Sequence, residues 1–91
     1  MKADYLVCYD IADAKRLGKV FRLLRKEGAH IQYSVFLCRL TWPQLEALKE
    51  KIGAVIHPKQ DDIRIYPLPS RKAVKVLGIG DRIPDSVDLY L

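Results

Sequence analysis

The sequence holds little of what builds covalent or metal frameworks. It has two cysteines in 91 residues, Cys8 and Cys38, with no paired-cysteine spacing. That spacing excludes a disulfide framework and a zinc knuckle. Both cysteines read as small buried hydrophobes in a reducing cytoplasm. No apolar stretch approaches the ~18 residues of a membrane span. Lys2 and Asp4 are followed by no apolar run long enough for a signal peptide, so none is expected. Neither histidine, His30 or His57, stands where it would activate Ser34, which excludes a serine nucleophile. Ser34 is better suited to hydrogen bonding with phosphate or backbone. Also missing is the Arg/Lys-Gly-Phe-Gly-Phe type of motif with which an RNA-recognition sheet stacks bases.

What is present is charge, and its clustering matters more than its size. Sixteen basic residues against eleven acidic ones give a formal charge of +5. Six of the cations (Lys15, Arg16, Lys19, Arg22, Arg25 and Lys26) fall in one short segment that holds a single acid at its end, Glu27. Soluble helices usually intersperse both signs, so a face of one sign points to phosphate. Lys15, Arg16, Lys19 and Arg22 are the expected contacts. Such side chains grip the backbone without reading sequence.

The segment reads as a helix from a cap at Asp13 to a stop at Gly28, with Leu17, Val20, Phe21 and Leu24 as its buried stripe. Before it, Asp4 to Asp10 is a strand apolar on both faces, hence central in a sheet. After it, His30 to Leu40 is a long extended run. No Gly, Pro, Asn or Asp interrupts that run, so it lacks tight-turn chemistry and reads as one strand, or as two broken by a bulge near Ser34. Thr41-Trp42-Pro43-Gln44 is a capping box that starts a second helix, striped by Leu45, Leu48 and Ile52 and ended by Gly53. Asp62 to Leu68 alternates as a strand, and Pro67 and Pro69 bar it from a central place. A last strand is expected near Ala73 to Leu77.

This order predicts an α+β sandwich with two helices on one face of an antiparallel sheet. A chain this short buries a little over ~60% of its unfolded surface, so its core is thin. The uncovered sheet face then calls for a second copy packed sheet to sheet.

The chemistry rests on Asp10, a lone carboxylate at a strand tip beside the basic helix. An acid there holds a divalent cation against a phosphodiester; equally, an acid near a helix start needs no role beyond the helix dipole. One carboxylate is a poor magnesium site, because the ion takes six oxygens and usually one or two protein acids. Two copies across a two-fold axis would supply two. Tyr9 and Phe36 read more readily as core than as stacking platforms.

Taken together, Tyr9-Asp10-Ile11, the basic helix, Gln32-Tyr33-Ser34-Val35-Phe36 and Ile63-Arg64-Ile65-Tyr66-Pro67 resemble the CRISPR-associated Cas2 family over nearly the whole chain. The resemblance implies a ferredoxin-like βαββαβ sandwich over residues 1–78, an extra C-terminal strand, and a tail over 79–91 that packs on the partner of a homodimer. It implies that Asp10 is both the magnesium ligand and the catalytic residue, with Tyr9, Ser34 and Phe36 as neighbours of the substrate site. It further implies a Mg2+-dependent endonuclease acting on RNA or double-stranded DNA in spacer acquisition and antiviral defence. The alternative it carries is a non-catalytic DNA-binding adaptor that bridges dimers of the CRISPR integrase subunit during spacer integration. A ribonuclease toxin of related fold is a third reading. The chain departs from the family pattern twice. Ala14 and Lys15 follow Asp13 where acids are common, and Leu37 follows Phe36 where another acid is common.

Overall fold

The structure, a computed structural model, describes residues 1–77 and 88–90. In chain order they form β1 (Ala3–Asp10), α1 (Ala14–Glu27), β2 (Gly28–Gln32), β3 (Val35–Leu40), α2 (Trp42–Gly53), β4 (Asp62–Leu68), β5 (Lys75–Leu77) and β6 (Asp88–Tyr90), with a short 3-10 turn at Arg71–Ala73. The main sheet is antiparallel in the order β2-β3-β1-β4. With two helices on one face, this is the ferredoxin-like arrangement. β5 and β6 pair in parallel as a separate ribbon of the same chain. The expectation for the tail falls largely on residues 78–87 and 91, which lie outside the described residues.

Alternation along the strands divides the side chains between two faces. Val7 and Tyr9 of β1 and Phe36, Cys38 and Leu40 of β3 point to the helices, where they meet Val20 and Leu24 of α1 and Leu45, Leu48 and Ile52 of α2 in one buried cluster. Phe36, Leu24, Val7 and Val20 have no exposed surface at all. Truncating a ring or isobutyl group in such a place costs about 3–5 kcal/mol, a large share of a small domain's stability. The opposite face carries Leu6, Cys8 and Asp10 of β1, with Tyr66 of β4 46% exposed beside them. Cys8 and Cys38 thus sit on opposite faces and both are free thiols.

Both helix starts follow their sequence signals. Asp13 accepts a hydrogen bond from the Arg16 N–H at 3.0 Å. Thr41 accepts from the Gln44 N–H, while the Gln44 side chain accepts from the Thr41 N–H. The end of α1 follows a different logic from the one expected. Gly28 is the stop, but its backbone is extended (φ −159°) rather than left-handed. The glycine is needed because β2 begins there, hard against β3. A Cβ on Gly28 would lie 2.5 Å from the Leu37 carbonyl oxygen and 2.6 Å from Cys38 Sγ.

The long extended run is two strands, as one of its two readings had it, but the break at Ser34 is a tight turn rather than a bulge. It is a hairpin of two strands, starting at Gly28 and turning at Tyr33-Ser34, with a bulge between His30 and Gln32. Ser34 takes φ 66°, the left-handed region usually left to Gly or Asn. A serine there costs of order 1–3 kcal/mol and persists only where its surroundings hold it. Here the Ser34 carbonyl accepts the Tyr9 N–H at 3.1 Å, which extends the β1–β3 ladder toward Asp10. Propensity alone does not reveal this turn, because tertiary pairing imposes it.

The strand expected over Ala73 to Leu77 begins at Lys75, after the 3-10 turn. Arg71 Nε donates to Asp4 Oδ1 at 3.1 Å, which ties that turn to the end of β1 far from Asp10.

Candidate metal and nucleic-acid site

Asp10 closes β1 on the face away from the helices. It is exposed, and among the described residues its carboxylate has no hydrogen-bond or ion-pair partner. β1 delivers it to the end of the sheet, and Asp13 caps the helix that follows, so the first turn of α1 is left without an acid. Directly across the ladder from Asp10 stands Asp62. Side chains opposed in this way have Cβ atoms about 4.5–5.5 Å apart, and like charges there repel. Asp62 is drawn off by Arg64, whose Nε donates to its Oδ2 at 2.9 Å. This second carboxylate is not legible as a partner of Asp10 without the β1–β4 register.

The positive surface is α1. Lys15, Lys19, Arg22, Arg25 and Lys26 are exposed, and among the described residues none has an ion-pair partner. Lys19, Arg22, Arg25 and Lys26 border a groove of about 630 Å³ floored by Leu23 and Val55. Arg16 has a different partner from the phosphate expected of it. Its Nε donates to Asp61 Oδ2 at 2.8 Å, and its Nη2 donates to Asp61 Oδ1 at 3.2 Å and to Gln60 Oε1 at 3.0 Å. The Arg16 guanidinium, with the N–H groups of His57 and Ala12, holds the Asp61 carboxyl far below the usual carboxylate range.

Tyr9 and Phe36 face the helix layer rather than Asp10's side. Tyr9 is 6% exposed and Phe36 fully buried, with ring centroids 6.1 Å apart. Both support the strand that carries Asp10, and Tyr9 also borders a hollow of about 310 Å³ with Arg22, Tyr33 and Ser34 on the α1 side. Phe36 also stacks on His30 at 4.8 Å. Ser34 contributes its carbonyl to Tyr9 and lines that hollow.

One chain offers a free, exposed carboxylate, and among the described residues no three His, Cys, Asp or Glu side chains gather into a metal cluster. Asp10 and its ladder partner Asp62 are the carboxylates placed at the tip of β1, and a hard cation takes one or two such acids with water completing its shell.

A four-stranded ferredoxin-like sheet with a free acid at the tip of its first strand and a cationic first helix defines a class: small α+β proteins that set a carboxylate beside a positive surface. The comparisons are more particular. Residues 3–76 match the family model described as CRISPR associated protein Cas2. A Thermodesulfovibrio yellowstonii protein named CRISPR-associated endoribonuclease Cas2 2 is 53% identical over 90 residues, 99% of each chain. A Thermus thermophilus protein named CRISPR-associated endonuclease Cas2 2 is 41% identical over 79 residues, 87% of this chain and 86% of its own. The crystal structure of a hypothetical protein, TT1823, from Thermus thermophilus superposes with a TM-score of 0.82 at 40% identity, covering 88% of this chain and 95% of that one. The chain belongs to the CRISPR-associated Cas2 family.

Proposed function

We propose that this protein is an endonuclease of the CRISPR system that hydrolyses phosphodiester bonds in RNA or double-stranded DNA, with Mg2+ as cofactor and a homodimer as its working form. The observation that carries the reading is Asp10, exposed and unpaired among the described residues, beside a helix whose exposed cations are also unpaired. Relatives named as endoribonuclease and endonuclease support it. The family resemblance also supports a CRISPR integrase subunit as protein partner and the cytoplasm as location.

In this reading each side chain has a physical task. Lys15, Lys19 and Arg22 bind successive phosphates and neutralise them. Asp10 from each copy would hold the ion. When bound, a divalent ion supplies Lewis acidity toward a phosphoryl oxygen. Tyr9, Phe36 and the Ser34 carbonyl keep the end of β1 from shifting.

Cleavage of both polymers by purified protein, with and without Mg2+, tests the proposal. Asp10→Ala and Asp10→Asn should abolish cutting while melting temperature and polymer binding stay as in the parent. Unchanged cutting by either variant overturns it. A second reading, the non-catalytic DNA-binding adaptor, draws on the α1 groove, whose bordering cations would suffice to grip a polymer with no part for Asp10. If Asp10→Ala still supports spacer integration with the integrase subunit, the adaptor is the physiological role.

A further inference from the structure

Asp61 is the most heavily bonded side chain among the described residues, and neither charge pattern nor periodicity marks it. Its side chain has no exposed surface. Oδ1 accepts from the Ala12 N–H at 2.9 Å and from Arg16 Nη2 at 3.2 Å. Oδ2 accepts from Arg16 Nε and from the His57 N–H, both at 2.8 Å. One carboxylate thus ties together three pieces of chain: the β1–α1 connection, the first turn of α1, and the loop between α2 and β4.

The place of this knot gives it meaning. Ala12 lies two residues beyond Asp10, and Asp62, the next residue after Asp61, is the ladder partner of Asp10. Asp10 is therefore held from both sides, by the sheet before it and by the Asp61 carboxylate just after it. The apolar cluster lies elsewhere, among Val7, Val20, Leu24, Phe36, Leu48 and their neighbours. Of the connection that leaves Asp10, Ile11 packs half-buried against that cluster, whereas Ala12 and Asp13 are exposed and Ala12 is tied down by the Asp61 carboxylate.

We propose that Asp61 is a positioning residue for Asp10: it locks the β1–α1 connection so that the Asp10 carboxylate projects from a fixed point toward its twin in the second copy. Arg16 belongs to this lock rather than to the phosphate-binding surface. The proposal rests on the reading of Asp10 as the metal ligand. A shared ion demands that two carboxylates converge, and residues that orient metal ligands typically change affinity 10–100-fold when lost.

The test compares Asp61→Asn with the parent protein in three measurements: Mn2+ affinity by titration calorimetry or electron paramagnetic resonance, the Mg2+ concentration giving half-maximal cleavage, and KM for the polymer. Asparagine keeps the size of the side chain but cannot accept from Arg16 and both N–H groups together. Mn2+ binding should weaken by about ten-fold or more, half-maximal Mg2+ should rise in step, and KM should stay within about two-fold because Lys15, Lys19 and Arg22 are untouched. A purely structural role would not separate metal from polymer in this way. Parent-like Mn2+ affinity in folded Asp61→Asn overturns the proposal. If that variant does not fold, Arg16→Gln decides, since it removes the guanidinium and leaves the apolar stripe of α1 intact. Weakened Mn2+ binding there upholds the lock, and unchanged binding overturns it. Asp10→Asn separates the two levels: Mn2+ affinity unaffected by that change defeats the metal-ligand reading itself and the lock with it.

Discussion

The division of labour within α1 is open to a quantitative test by salt. Lys15, Lys19 and Arg22 are spaced four and three residues apart, so they form one stripe about 10 Å long at 1.5 Å per residue. On one strand of B-form DNA, phosphates advance about 3.4 Å each along the axis, so the stripe is long enough for three. Three contacts per chain make six per pair of chains, and log K against log salt should fall with a slope of about −5.4. Lys19→Gln removes one contact per chain, and the slope of the pair should flatten by about 1.8. Arg16→Gln removes the same formal charge from the same helix. Its guanidinium is already occupied by Asp61 and Gln60, so the slope should hardly change. Fluorescence anisotropy of labelled duplex at several salt concentrations measures all three proteins. If Arg16→Gln flattens the slope as much as Lys19→Gln does, the ion pair yields to phosphate in the complex and the assignment of Arg16 to the lock is refuted.

Gly28→Ala should cost about 1–3 kcal/mol in urea unfolding, since its Cβ would lie against the Leu37 carbonyl, which cannot swing aside. Gly53→Ala, where a Cβ meets nothing within 4 Å inside a helix, should stabilise by about 0.5–1 kcal/mol; equal midpoints for the two variants would refute the close-approach account of Gly28. Thiol labelling should reach Cys8 on the open face of the sheet while sparing Cys38, whose thiol burial pushes up to about 11. Protection of Cys8 should grow with protein concentration if that face pairs with a second copy; labelling indifferent to concentration would count against sheet-to-sheet packing. The acid limb of stability carries the mark of Asp61. Its pKa is lowered in the folded chain, chiefly by Arg16, so its contribution is present above the unfolded value of about 3.9 and fades as pH falls toward the folded one. Asp61→Asn should lose stability less steeply than the parent below about pH 4, and parallel curves would contradict the charge of the buried pair.

The fold was legible where local chemistry and burial agree. Asp13 and the Thr41 box announce both helix starts, and each forms the bond its signature predicts. Leu17 to Leu24 and Leu45 to Ile52 carry the helical stripe that becomes the core. Legibility failed at Tyr33-Ser34, where no turn residue marks the hairpin. The pairing of Gly28 to Gln32 with Val35 to Cys38 forces a turn, and a serine is held at φ 66° because its carbonyl meets Tyr9. Local propensity gives no sign of a conformation that only a bond from β1, distant in sequence, stabilises.

The site divides along the same line. Asp10 stood out because a charge ends an apolar run, and the α1 cations stood out because their sign is unbroken. Both are one-dimensional signals. Asp61 and Asp62 gave none: an acidic pair opening a strand reads as ordinary solvent-facing polarity until the ladder sets Asp62 opposite Asp10 and the 57–61 loop folds Asp61 onto Ala12 and Arg16. The two neighbouring acids then take opposite roles. Asp62 faces solvent with its charge met by Arg64, and Asp61 is sealed beneath the connection that it fixes. A free carboxylate is useful to a cation only where its own backbone does not wander. In this chain a second carboxylate, spent wholly on main-chain N–H groups and one arginine, holds that backbone still.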